Sequence, residues 1–243
     1  MGIWKQIIEN DNMLLWTVVG IFLLITVIPL IKKIRDRKLL KSVTSLNRGT
    51  KTERDLILRL LKHGIPSQTL FHDLYIEKSN GEFSQIDVVL ATSVGIIVFE
   101  IKDYSGWIFG NGNHSHWTKV LAYGRNKYRF YNPIKQNKNH IETLKGQLKQ
   151  FKTIPFFSII VFYGDCELKE INFVPEGTFL VKPLRINEVL KHIKENNEVA
   201  PYTNKKEIVR TLKEAVNNGE NISNQEKHKA NINDMLGKNR IFD

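Results

Sequence analysis

The pattern of apolar and polar positions divides the chain into three stretches. Residues 13–31, MLLWTVVGIFLLITVIPLI, carry no charge over nineteen positions, enough for a helix of about 20 residues to cross a bilayer core. Lys5, Glu9 and Asp11 precede the run, so it lacks the basic n-region of a signal peptide, and no small-residue cleavage site follows it. Periodic patterns then begin. Over residues 50–63 the apolar positions Leu56, Ile57, Leu60 and Leu61 fall on one helical stripe, which Gly64 and Pro66 end. Residues 70–78 read as a strand and Asn80-Gly81 as a hairpin turn. Residues 86–91 and 95–101 are apolar runs rich in β-branched side chains, split by Thr92-Ser93-Val94. The pattern predicts a helix followed by a three-stranded antiparallel meander.

Further along, residues 106–112 with Trp107 and Trp117 read as turns and a short hairpin. The two tryptophans suit either core packing or stacking on bases. Asn132 as N-cap and Pro133 at the first helical position open a helix whose stripe is Ile134, Ile141, Leu144, Leu148 and Phe151. Residues 155–163, PFFSIIVFY, form a nearly continuous apolar run expected to be a central strand. A shorter strand is expected at 178–181 and helices near 186–193 and 206–216, before a polar, patternless tail.

Charge narrows the choice of partners. Net charge is +11, from 36 Lys and Arg against 25 Asp and Glu, which favours polyanions, either nucleic acid or an anionic membrane surface. Lys32, Lys33, Arg35, Arg37, Lys38 and Lys41 follow the apolar run at once. By the positive-inside rule they keep the C-terminal side in the cytoplasm. The same run suits contact with anionic lipid or, as an alternative, with nucleic acid. The single cysteine, Cys166, excludes an internal disulfide framework and a cysteine-based zinc site.

Candidate chemistry sits in the hairpin of residues 85–102. If residues 92–95 form a four-residue loop, Ala91 pairs with Ile96, Asp87 with Glu100 and Gln85 with Lys102. Alternation then places Gln85, Asp87, Glu100 and Lys102 on one face. Opposed Cβ atoms lie roughly 4.5–5.5 Å apart, where like charges destabilise a sheet, so the acids call for compensation by a divalent cation. The alternative is a solvated edge at which Lys102 neutralises them. Glu53, in the first turn of the first predicted helix, borders its stripe and suits the helix N-terminus. Gln136 and His140, one turn apart on a later helix, can reach the sheet edge, where a structural hydrogen bond is the other reading.

Taken in order, Gly49-x-x-Thr52-Glu53, Gln85-Ile86-Asp87, Phe99-Glu100-Ile101-Lys102, Gly106, Trp117 and Asn132-Pro133-Ile134-x-Gln136 resemble the nuclease-related domain (NERD) family, assigned to the PD-(D/E)xK nuclease superfamily. The resemblance covers residues 47–164. It implies an α/β fold with the αβββαβ core of restriction endonucleases, a mixed sheet flanked by helices. It also implies Asp87 and Glu100 as ligands of Mg²⁺ or Mn²⁺, Lys102 as catalytic lysine, Glu53 as accessory acid and Gln136 as a helix residue facing the site. Ile86 stands where the superfamily places proline, and Asp103 where the family often has asparagine. The organisation expected is an outward N-terminus at 1–12, a transmembrane helix at 13–31, a basic linker at 32–46 and a nuclease-like domain at 47–164. An α/β extension at 165–218 and a tail at 219–243 follow. The function expected is a single-pass, cytoplasm-facing, metal-dependent endo- or exonuclease of the cell membrane, acting on DNA ahead of RNA through a metal-activated water. Its membrane contacts are residues 13–31 and, for anionic lipid, 32–41. The alternative is an inactive nucleic-acid-binding or scaffold module on the same tether.

Overall fold

The computed structural model describes residues 2–78, 80–121, 124–221, 223, 225 and 226, without the side chains of 2–15, 18, 19 and 21. Helix α1 (Gly2–Leu40) continues through Pro29. Its described apolar side chains are largely exposed as far as Ile34, with Trp16 71% and Phe22 65% exposed, while Leu39 and Leu40 at its end join the core. Met13, Leu14, Leu15, Val18, Val19 and Ile21 of the expected span lie outside the described side chains. The contiguous remainder, residues 22–31, is shorter than a bilayer requires. Among the described residues no helix is long and apolar enough to cross a membrane, so the anchor expected at 13–31 is not supported by them. Most of the expected tail also lies outside the described residues.

Helix α2 (Lys51–Lys62) starts where Thr50 caps the Glu53 amide, and buries Leu56, Ile57, Leu60 and Leu61. Asp36 of α1 meets Lys62 of α2 at 2.7 Å. In chain order there follow β1 (Leu70–Glu77), β2 (Phe83–Thr92), β3 (Gly95–Asp103), β4 (Gly106–Asn111), β5 (His116–Leu121) and β6 (Asn126–Tyr131). Then come α3 (Pro133–Lys145), β7 (Phe156–Tyr163), β8 (Cys166–Asn172), β9 (Thr178–Val181), α4 (Ile186–Glu195) and α5 (Lys205–Asn218).

The first sheet has the order β1-β2-β3-β7-β9. The expected meander forms its antiparallel half, while β7 and β9 add parallel to β3. Leu56, Leu60, Val88, Phe99, Ile159 and Ile193 pack on one side. Ile86, Val98, Ile141, Leu144 and Leu212 pack on the other. Strand β7 lies between β3 and β9 and contributes to cores on both sides, as its nearly continuous apolar run predicts.

A second sheet, β6-β5-β4-β8, corrects the expectation of a short hairpin after residue 106. Its closing pair, β4 with β8, is parallel and joins Gly106 to Cys166 across the whole of α3 and β7. Strand β6 is almost wholly exposed, so it shows no apolar alternation. The sheet seats on the first through Trp117, Ile108, Ile134, Ile160 and Phe162. Trp117 is buried and stacks on Phe162 at 6.3 Å with planes 5° apart. Core packing is therefore the role of Trp117, while Trp107 stays 37% exposed.

Candidate active site

The site forms where β2 and β3 part. Ala91 faces Ile96 as expected, but pairing ends at Val88 with Phe99. In its place the Ile101 amide donates to Asp87 Oδ2 at 2.7 Å, while β3 continues beside β7 as far as Asp103. Core packing shows a further break. Ile86 and Val89 both point to the α3 side and Val88 to the α2 side, so strict alternation fails at Asp87. The neighbouring strand has a matching irregularity at Asp73, whose φ of 56° lies in the left-handed region between two paired residues. Arg48 Nε holds Asp73 Oδ2 at 2.9 Å and Gln85 Nε2 donates to Oδ1 at 2.7 Å. Gln85 therefore serves Asp73 and pairs with Tyr75 rather than standing opposite Lys102.

Glu100 is 2% exposed. Its Oε1 meets Lys102 Nζ at 2.7 Å and its Oε2 lies 3.3 Å from His140 Nε2. His140 is the partner that the structure gives Oε2, which is buried and has no shorter or further contact of this kind among the described residues. Lys102 Nζ also donates to Gln136 Oε1 at 2.9 Å. His140 Nδ1 lies 2.9 Å from Ser84 Oγ. A Ser84 hydroxyl donating to Nδ1 leaves Nε2 of the neutral ring carrying the proton that faces Glu100. Helix α3 thus brings both Gln136 and His140 to the cleft, tied by Asn137, whose Nδ2 donates to Val98 O at 2.9 Å and Ser158 Oγ at 2.8 Å.

Burial raises the Asp87 pKa well above the ordinary carboxylate value, and the charges of Glu100 and Glu53 push it further. The Ile101 amide and Lys102 offset only part of this. Burial pushes Glu100 the same way, yet Lys102 and His140 outweigh it and hold that pKa low. Burial disfavours the Lys102 charge, but Glu100 raises its pKa on balance. Two neighbouring acids are thereby driven apart, a pattern found where carboxylates take unequal chemical roles.

Glu53 is buried on the α2 side and accepts from His72 Nε2 at 3.0 Å and Thr50 Oγ1 at 2.7 Å. Burial raises its pKa, but these hydrogen bonds prevail and lower it. His72 Nδ1 is bonded in turn to Thr44 Oγ1 at 2.7 Å. Gly49, at φ 63°, lies so close that a Cβ there would run into the Glu53 carboxylate and the His72 ring. No described hydrogen bond joins Glu53 to Asp87, Glu100 or Lys102; only its charge reaches Asp87.

Among the described residues no three His, Cys, Asp or Glu side chains gather at metal-binding spacing. Two carboxylates, one with a buried oxygen facing only His140 among the described residues, still fit Mg²⁺, which binds through one or two carboxylates and fills its remaining positions with water and phosphate oxygens. The sequence reading set His140 beside Gln136 at the sheet edge without giving it a role, and did not single out His72 or Ser84. The signal for His140 was present, four residues after Gln136 on the same helical face; His72 and Ser84 carried none.

These features lie in one continuous segment. Residues 48–163 match the nuclease-related domain, NERD. The matched segment spans α2, the meander, strands β4–β6, α3 and β7. The resemblance read from the residues is borne out over that segment. An uncharacterized protein of Bacillus anthracis is 32% identical over 123 residues, covering 50% of this chain and 56% of its own. The chain therefore spans little more than half the length of that relative. No solved structure matches the chain.

Proposed function

We propose that the chain is a metal-dependent nuclease, tethered to the membrane by α1, that hydrolyses phosphodiester bonds of DNA ahead of RNA. The observation that carries this reading is the convergence of Asp87, Glu100, Lys102 and Gln136 where β2 and β3 separate inside a nuclease-related domain. Asp87 and Glu100 would hold Mg²⁺ or Mn²⁺, which when bound supplies Lewis acidity and a more acidic water. The chain's own groups then have definable tasks. Asp87, fixed through Oδ2 by the Ile101 amide, would keep its other carboxylate oxygen for the ion. Lys102 places a charge where negative charge develops on the phosphoryl oxygens or on the attacking water. Gln136 holds the Lys102 ammonium from the helix side and limits its rotamers. Glu53 acts through charge from behind Asp87, as an accessory acid.

The membrane tether rests on the uncharged run at 13–31 and the basic run after it, which also suits anionic lipid. That arrangement puts the domain on the cytoplasmic side of the cell membrane. A second reading, a silent nucleic-acid-binding or scaffold module, draws on the Lys102–Glu100 pair, which neutralises one acid without any ion.

The test is cleavage of labelled single- and double-stranded DNA and RNA by the full chain in detergent, with Mg²⁺, Mn²⁺ or EDTA. The expected result is metal-dependent cleavage that falls by at least about 100-fold in Asp87→Ala and in Lys102→Ala. Cleavage persisting in Asp87→Ala overturns the site, and binding without cleavage in the wild type selects the second reading.

A further inference from the structure

Strands β4–β6 lie within the matched segment and leave the first sheet beside the candidate site. They leave it three residues after Asp103 ends β3 and rejoin it two residues before Pro133 begins α3. Both junctions lie beside the catalytic elements. Inside the core, Phe162 stands next to Lys102 in the β3–β7 ladder and is the ring on which Trp117 of β5 stacks. The inserted sheet is therefore fixed against the flank of the cleft, and its inner face runs outward from Lys102.

Along that face aromatic rings and one cation alternate. Tyr104 follows β3 and packs edge-on against Phe130 at 4.8 Å, near enough to Lys102 for its phenol to act on the ammonium. Lys119 Nζ lies 4.9 Å from the centre of the Tyr104 ring and 5.6 Å from that of Tyr128. Tyr128, directly across from Lys119 in the β5–β6 ladder, is 51% exposed. The stretch of chain that carries these rings is basic, while the acids of the sheet, Glu167 and Glu170, lie on its far strand β8. Residues 104–141 contain no aspartate or glutamate and include Lys119, Arg125, Lys127, Arg129, Lys135 and Lys138. Arg125, Lys127 and Arg129 are exposed on or beside β6.

We propose that Tyr104, Lys119 and Tyr128 form a track that carries a single strand of nucleic acid into the cleft at Lys102. The inference rests on the nuclease reading and deepens it. The half-exposed Tyr128 ring and the partly buried Tyr104 ring, with one ammonium between them, offer stacking surface to unstacked bases and a charge to the phosphate that joins them. The stretch without acids supplies the longer-range attraction for a polyanion. A duplex keeps its bases stacked and so cannot use the rings.

The experiment measures equilibrium binding by the full chain in detergent and EDTA, which separates binding from cleavage. The probes are a fluorescein-labelled oligothymidylate of about 20 nucleotides and a duplex of equal length. Tyr128→Ala is expected to weaken oligothymidylate binding about 5- to 100-fold and duplex binding much less. Tyr128→Phe, which keeps the ring, is expected to stay within about twofold of the wild type. Lys119→Gln is expected to flatten the salt dependence by about 0.7 in logarithmic slope. Wild-type binding by Tyr128→Ala overturns the track, as does equal loss on both probes or a Tyr128→Phe defect matching that of alanine. If Tyr128→Ala binds and cuts like the wild type, the track falls and the nuclease reading stands. If binding depends on Tyr128 but nothing is cut, the track stands and the nuclease reading falls.

Discussion

Asp87 is held in a setting that opposes its charge, through burial and two neighbouring carboxylates. A carboxyl with a raised pKa in the folded chain contributes stability that is present at low pH and lost as pH rises above its ordinary 3.8. Asp87→Asn removes that penalty and keeps an oxygen for the Ile101 amide. In EDTA at pH 7 it is expected to stabilise the fold by about 1 kcal/mol, raising the thermal midpoint by about 2–4 °C while abolishing cleavage. An unchanged or lowered midpoint counts against the electrostatic account. Glu53 and Glu100 behave oppositely. Both are held below the ordinary 4.5, so their contribution is full above that value and is lost as pH falls through the lowered range. A pH series of urea midpoints should therefore show a steep acid limb that Glu53→Gln makes shallower.

At the scale of elements, α3 connects stability to chemistry. Asn137 is fully buried and joins the helix to β3 and β7 through Val98 O and Ser158 Oγ. Asn137→Ala leaves those groups with one partner fewer and is expected to cost about 1–3 kcal/mol, read as a lower urea midpoint at constant m. Because the helix also carries Gln136 and His140, cleavage should fall further than the unfolded fraction explains. The same element shows what was legible in the sequence. Its cap, proline and stripe predict its start and buried face, and the Ala91–Ile96 register of the hairpin holds as far as Val88 and Phe99, one position short of the expected Asp87–Glu100 pair. The contact of Gln136 with Lys102 follows from the family resemblance rather than from periodicity. The break in alternation at Asp87 was not legible, because it is coupled to a left-handed aspartate at position 73 that no glycine marks. The second sheet escaped for another reason. Its parallel β4–β8 pairing is long-range, and β6 is too polar to show an alternating pattern.

For the whole molecule, the contrast is between a packed α/β body and a helix whose described apolar side chains from Trp16 to Ile34 are largely exposed, covered only at its end by Leu39 and Leu40. With the basic run that follows, α1 is expected to carry the chain into liposomes of anionic lipid and to resist extraction by high salt or alkaline carbonate. A flotation assay in which the full chain stays at the bottom of the gradient removes the tether from the proposal. The inserted sheet bears on the molecule in a different way. Its two junctions open at one rim of the core, and the core ladder runs from β3 to β7 without it. On the nuclease reading proposed above, the groups that would grip a strand and the groups that would cut it sit on different sheets, locked together by the β4–β8 pairing and the Trp117–Phe162 stack. A change in what is gripped would then have to respect that seam, because the same rings that carry the second sheet also back the strand of Lys102.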